Sequence, residues 1–327
     1  MNPPLPHVQD IALGELTSCL QWLLGKMRVE RAQWVVAQLT DRVERQRMAD
    51  IFAVESRRDG QIVAAALALA QPPGAATLLA IGDSEADGEG DWAGDRAAPL
   101  PAVLARLRSR LHTAGTHFLQ AAAESEEHGH RLHRLGFVHL ADLAFMVLDA
   151  DRFVDRQEPA PADCRLERVG SQPARVAHAC ELAAGTFAGT QDCPRLNDFR
   201  SAAEIIAGYR LSASFDPTLW YLAITGSEPV GCLFLTRHRG VDTSLQGGCV
   251  AAAGAIEISY MGLLSKHRGR GLGKVILNEA VRLADQWQAP RMVLAVDREN
   301  SPAIALYQRS GWLEAAQESV WGSKVLP

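Results

Sequence analysis

The sequence predicts a mixed α/β chain of two tandem domains, each a mostly antiparallel twisted sheet flanked by helices. Three observations carry that expectation. Each half holds a hairpin of apolar strands. A basic, glycine-rich loop in the second half joins an apolar strand to a helix. And a stretch of the first half lies on a stretch of the second without a gap.

The elements follow in order. In the first half, "IFAVE" (51–55) and "QIVAAALALA" (61–70) flank Asp59-Gly60, a hairpin turn pair. The segment from Asp149 to Cys164 is polar, carries Pro159 and Pro161, and reads as a linker, so the domains are placed at 1–155 and 164–327. Beyond it, "RLERV" (165–169) alternates as a short strand. Helices are expected at 173–187 and 201–211. "LWYLAIT" (219–225) and "PVGCLFLTRH" (229–238) form a hairpin around Gly226-Ser227. "AIEISYMGLL" (255–264) is apolar on both faces, as a central strand should be. The glycine loop leads into a helix at 273–286. A strand at 291–296 and a helix at 300–312, stopped by Gly311, come next, and two short strands finish the chain.

The two halves echo each other. "FLQAAAESEEHGHRLHRLGF" (118–137) lies on "VLAVDRENSPAIALYQRSGW" (293–312), with Leu119, Glu124, Arg134 and Gly136 matching Leu294, Glu299, Arg309 and Gly311. The shared order of strand, helix, glycine stop and aromatic points to a duplicated domain.

Composition narrows the function classes. Lys plus Arg number 33 against 38 Asp plus Glu, a net charge of -5, which argues against nucleic acid as a partner. No apolar run approaches the roughly 20 residues that span a bilayer, so no membrane partner is expected. The opening "MNPPLPHVQD" has no basic region followed by an apolar stretch, and the six cysteines show no CxxC pair. A cytoplasmic protein with reduced thiols is therefore expected. His128, His130 and His133 read as solvated surface, with no metal. Nothing in the sequence speaks to oligomeric state.

The loop "SKHRGRGLGK" (265–274) opens on Lys266, His267 and Arg268. A Walker loop would need glycine where Arg268 stands and Ser or Thr where Val275 stands. A Rossmann loop would need GxGxxG, whereas the glycines here fall at 269, 271 and 273. The pattern that fits is (R/Q)xxGx(G/A), filled by Arg268, Gly271 and Gly273. Glycines let a backbone approach closely, and a helix start favours an anion. With Arg268, Arg270 and Lys274 as cations, the loop suits a pyrophosphate.

Over about residues 164–327 the sequence resembles the GCN5-related N-acetyltransferase (GNAT) superfamily, on this loop and on the Asn300-x6-Tyr307 helix followed by Gly311 and Trp312. The tandem arrangement, with full motifs in the C-terminal copy alone, resembles the mycothiol synthases. The resemblance implies acetyl-CoA as co-substrate, without metal, and the primary amine of a small molecule or peptide as acceptor. It implies cofactor contacts at Met261, Gly262, Leu263, Arg268, Gly269, Arg270, Gly271, Leu272, Gly273, Lys274 and Asn300. It also implies splayed strands near Met261–Leu263, a backbone oxyanion donor there, and a bulge that Gly262 would ease. "TFAGTQDCP" (186–194) lies where acceptor contacts would fall.

The chemistry asks for a base and an acid. Glu257, eleven residues before Arg268, is the expected base. Strict strand alternation puts it on one face with Ser259, Met261 and Leu263. Tyr307 is the expected acid for the leaving thiolate. In the first half Leu132 stands opposite Tyr307 and Ser125 opposite Asn300, and the loop from Gly82 to Arg96 carries six acids. That copy is expected to be non-catalytic. A coenzyme-A-binding regulatory or scaffolding protein without turnover is the alternative.

Overall fold

The computed structural model describes residues 7–84, 99–153, 164–212, 214–238, 243–245, 249–251 and 254–326. The chain resolves into two compact units, Met1–Leu140 with Ser319–Pro327, and Ala141–Glu318. The acidic loop of the first half, read from Gly82 to Arg96, lies from residue 85 on outside the described residues.

Unit 1 orders its sheet β1 (His7–Asp10), β2 (Ile51–Arg58), β3 (Gln61–Gln71), β4 (Ala75–Asp83), β5 (Phe118–Ala123), then the end of β14 (Leu313–Lys324). Neighbours are antiparallel except β4 and β5. The β2–β3 hairpin closes on Asp59 and Gly60, both with positive φ, which matches the strands' right-handed twist. Side chains alternate across β3. Ala64, Ala66 and Ala68 face the apolar stripe of α3 (Pro99–Thr113), including Leu100, Leu104 and Leu107. Ala65, Leu67 and Leu69 face α1 (Leu16–Leu24) and α2 (Val29–Glu44), with Leu23, Trp34 and Val35 buried among them. Burying side chains on both sides is what makes this sheet a core rather than a surface.

Unit 2 repeats the plan. Its sheet runs β6 (Val138–Asp149), β13 (Arg291–Asp297), β12 (Ile256–Leu263), β9 (Glu228–Arg237), β8 (Trp220–Thr225), β7 (Cys164–Arg168). The two short strands β10 (Thr243–Leu245) and β11 (Cys249–Ala251) pair separately. Helices α7 (Leu272–Gln286) and α8 (Ser301–Arg309) pack one face with Ile256, Ile258, Leu233 and Leu235. Helices α5 (Pro173–Gly185) and α6 (Ala202–Leu211) cover the other with Cys232, Phe234 and Trp220. A capping box between Ser201 and Glu204 starts α6. The remaining helix, α4 (Glu126–Arg134), follows β5 in unit 1 as α8 follows β13 in unit 2.

Three features differ from expectation. The chain does not end in two short strands. Leu313–Lys324 is one strand of 12 residues, long because its residues from Ser319 pair with β5 of unit 1. The unit boundary also falls elsewhere than the polar segment. β6, which precedes that segment, pairs with β13 from Leu143 to Asp149, so the edge strand of each unit's sheet comes from the other half of the sequence. Third, β12 carries a bulge. Its register with β9 slips between Ile258 and Tyr260. The extra residue reverses the alternation, so Glu257 shares a face with Tyr260 and Gly262 rather than with Met261 and Leu263. Gly262 does not make this bulge. A side chain there would collide with Thr186 Oγ1, so close approach of α5's end is what requires glycine.

Candidate active site

The site is built on the opening between β12 and β13. β12 pairs with β9 along its length, from Ile256–Arg237 to Leu263–Gly231, but with β13 only at Ile256–Met292 and Glu257–Val293. Beyond Glu257 the two parallel strands part. The amide of Leu264 donates to Val230 O on the β9 side at 2.9 Å. By alternation, the amides of Met261 and Leu263 point to the parted edge. The expected splay is thus present, with backbone donors along it.

At the mouth of the opening stands the glycine loop. Gly269 and Gly271 have φ of +73° and +80°, and a Cβ on either would meet nothing within 4 Å, so conformation and open space define these two positions. Gly273 instead sits where a Cβ would touch Leu306 of α8 at 3.4 Å. Leu272 points into the core and leaves only its amide to the loop. The first two N–H groups of α7, a 15-residue helix, those of Leu272 and Gly273, precede its first backbone bond, from the Lys274 amide to Gly271 O at 3.0 Å, and stand at the anion-favouring end of its dipole. The cations divide. Lys266 pairs with Glu228 Oε1 at 2.5 Å, with His267 3.6 Å from the same oxygen. Arg268 braces backbone carbonyls, donating to Leu263 O (3.0 Å), Gly189 O (2.7 Å) and Thr186 O (2.5 Å). Arg270 is exposed and Lys274 half-buried at the helix start.

Glu257 lies on the α5–α6 face. Its Oε2 is 2.9 Å from His238 Nε2. Tyr209 of α6 stands near it, its hydroxyl pushed up by burial and, after that, by the Glu257 charge. Aromatic rings wall this side. Phe187 stacks on Tyr260 at 5.4 Å, and Tyr209 tilts against Tyr260 at 6.0 Å. Thr186 Oγ1 donates to Ala183 O at 2.7 Å, so Tyr260 is the donor in its own 2.5 Å bond to Thr186.

Tyr307 lies on α8, in the core cluster that also holds Leu272 and Ile276 of α7. Its ring is buried, 5.8 Å from that of Trp312, and its hydroxyl makes no hydrogen bond among the described residues. Burial pushes that hydroxyl up, and the charge of Asp192 adds to the shift. Asn300 caps α8, its side chain accepting from the Ala303 amide at 3.4 Å, and lies near Asp192. The loop before α6 docks here. Asp192 Oδ1 accepts from the Asp297 amide, and the Cys193 amide donates to Asp297 Oδ2, both at 2.9 Å. Asp192 remains open to solvent on one side, yet it is enclosed closely enough that burial raises its carboxyl.

The structure thus sets Glu257 and Asp192 near Tyr209, Asp192 near Tyr307 and Asn300, and Gly273 of the glycine loop against Leu306 of the Tyr307 helix. His238, Tyr209 and Asp297 stand nearby without a sequence signal of their own, while Asp192 comes from the 186–194 stretch expected to hold acceptor contacts. Only the register reveals His238: Thr236 lies opposite Glu257, and His238 follows two residues on, diagonal to it. Among the described residues no cluster of three or more His, Cys, Asp or Glu could hold a metal ion. No helix among them is long and apolar enough to cross a membrane.

Residues 190–312 match the model of the acetyltransferase (GNAT) family. A 65-residue stretch, 20% of the chain, is 34% identical to mycothiol acetyltransferase of Corynebacterium aurimucosum, and the match spans 21% of that protein. A GCN5-related N-acetyltransferase from Sphaerobacter thermophilus superimposes with a TM-score of 0.53 at 17% identity, covering 100% of this chain and 98% of that one. A tandem GNAT protein from the clavulanic acid biosynthesis pathway gives 0.53 at 14%, covering 98% and 99%. A glucosamine N-acetyltransferase region of a fungal multi-domain β-N-acetylglucosaminidase gives 0.64 at 12%, covering 99% of this chain and 38% of that one. The family match thus falls on residues 190–312, within unit 2, and the two full-length superpositions show that the chain shares its fold with proteins described as GNATs, one of them a tandem GNAT protein.

Proposed function

We propose that the chain is an acetyl-CoA-dependent N-acetyltransferase acting on a primary amine, with its active site in unit 2. The observation that carries this is the opening between β12 and β13, closed at its end by a loop of left-handed glycines at a helix start. A thioester arm fits such a slot by pairing with the free β12 edge, and a pyrophosphate fits the α7 amides with Arg270 and Lys274 beside them. Arg268 serves there as the brace of the loop through its three carbonyl bonds.

Acetyl-CoA supplies an activated acetyl group and a thiol leaving group. The chain's residues do the rest. Glu257 takes the proton that the amine must lose before its lone pair can attack directly within a ternary complex. The amides of Met261 and Leu263 donate to the developing oxyanion. Tyr307, held protonated by its burial, gives its proton to the departing sulfur. Unit 1 is non-catalytic in this reading, since Leu132 occupies the position of Tyr307 and is fully buried.

Release of free thiol from acetyl-CoA, followed against small amines, aminoglycosides, cysteinyl conjugates and peptide N-termini, tests the proposal. Amine-dependent release with at least one of them is expected. Tight binding of acetyl-CoA without release for any amine would point to a regulatory protein instead.

A further inference from the structure

The electrostatic environment of Glu257 contains a partner that neither the family motifs nor the site's main elements supply. β9 ends at Arg237, and the next residue, His238, is fixed by two backbone bonds. Its amide donates to Ala255 O at 3.0 Å, and its carbonyl accepts from the Gly254 amide at 2.8 Å. Gly254 has a φ of +85°, which lets the chain turn there and enter β12 beside β9. Those bonds place the imidazole against the start of β12, where Nε2 reaches Glu257 Oε2 at 2.9 Å. The pair is largely shielded, with side-chain exposures of 15% for His238 and 25% for Glu257.

We infer that His238 is a positioning residue for Glu257, holding one carboxylate oxygen so that the other faces the acceptor amine. The inference rests on the reading of Glu257 as the base. The logic is geometric. A glutamate has three rotatable bonds, and a free one samples several rotamers. Tying Oε2 to an imidazole whose backbone is itself pinned removes that freedom and leaves Oε1 as the proton acceptor. Among the described residues, the other groups facing this pair are neutral Thr236 of β9, Ser259 in the bulge, which donates to Thr236 at 2.7 Å, and Tyr209 of α6. Beyond Tyr209 lie Asp192, Cys193 and Arg200. His238 is the group in contact with the carboxylate itself.

Two variants of the full chain test this, His238→Ala and Glu257→Gln, assayed with acetyl-CoA and the fastest amine found in the thiol-release panel. For His238→Ala we expect kcat to fall about 10-fold and KM for acetyl-CoA to stay unchanged. His238→Gln, which keeps an N–H donor at similar reach, should recover part of the rate. A wild-type rate in His238→Ala, beside an impaired Glu257→Gln, would overturn the role of His238 and leave the base standing. Wild-type turnover in Glu257→Gln would remove the base, and His238 with it. Loss of acetyl-CoA binding in His238→Ala, or no recovery of rate in His238→Gln, would make the histidine a packing residue.

Discussion

Units 1 and 2 share the order strand, two helices, three strands, helix, strand, helix, with the β10–β11 pair added in unit 2, yet their clefts are dressed differently. α4 and α8 are both nine residues long, each starts from a side-chain cap (Ser125 and Asn300), and each is followed by a glycine with φ near +80° (Gly136 at +82°, Gly311 at +81°). Phe137 and Trp312 are buried at the same place in each pattern. In unit 2 the parallel pair β12–β13 parts after two residue pairs. In unit 1 the parallel pair β4–β5 holds for four, from Ala75–Phe118 to Leu78–Ala121. Just past that point a side chain of unit 1 itself takes the strand edge: Arg31 of α2 donates to Leu79 O at 3.3 Å. Arg131 of α4 then pairs with buried Asp83 at 2.6 Å. The duplicated scaffold survives wherever packing demands it, while chemistry sits in a few side chains that one copy has and the other has replaced.

The largest expected effect breaks the comparison at the glycine loop. Gly271→Val places a β-branched side chain at φ +80°, where L residues are strained, and fills space that the phosphates would need. Calorimetry on the full chain should show one acetyl-CoA site in the wild type. In the variant, affinity should fall about 100-fold or more, close to 3 kcal/mol. A second site in the wild type, or full binding in Gly271→Val, would move cofactor binding to unit 1 and undo the asymmetry.

A smaller effect tests the pair Tyr307 and Leu132. Tyr307→Phe keeps the ring against Trp312, and so keeps α8 packed, while removing the hydroxyl. We expect kcat to fall about 10-fold with acetyl-CoA affinity near wild type, the low end for a general acid, because a thiol is a fair leaving group even unprotonated. Normal kcat and KM in this variant would make Tyr307 as structural as Leu132.

Much of this was legible in the sequence. Hairpins announce themselves through Asp59-Gly60 and Gly226, where positive φ is needed, and the gapless echo of 118–137 with 293–312 is matched by helices that start and stop at corresponding residues, Glu126–Arg134 and Ser301–Arg309. What escaped was set by tertiary contacts. The bulge at Ser259 has no composition signal, and it alone moves Glu257 to the face of Tyr209 and Tyr260. The reading of Arg268 as a phosphate cation missed that three carbonyls converge on its guanidinium, two of them from the loop after α5, far away in sequence. The exchange of edge strands was equally hidden, because strands β6 and β14 look alike whichever sheet they join.

The smallest expected effect sharpens the comparison at His128, whose counterpart across the echo is Ala303. His128 lies on α4 within the basic group of unit 1. Burial holds its imidazole down, with Arg31 and Arg131 adding to the shift, from an ordinary 6.5 to about 4. The folded state thus resists taking a proton that the unfolded chain accepts readily. As pH falls below 6.5 the unfolded chain binds more protons, so stability is present above that value and is lost as pH drops toward 4. The side chain is half-buried, so after discounting for solvent screening the loss is about 1 kcal/mol at pH 5. His128→Ala, which gives unit 1 the residue that unit 2 already has, removes this titration while Ser125 still caps the backbone of α4. Urea unfolding at pH 7 and pH 5, followed by tryptophan fluorescence, should show the variant losing about 1 kcal/mol less than the wild type over that interval. An equal loss in both proteins would mean that the imidazole titrates as freely as in water, and that the basic cluster around Arg31 exerts no field on the unit 1 cleft.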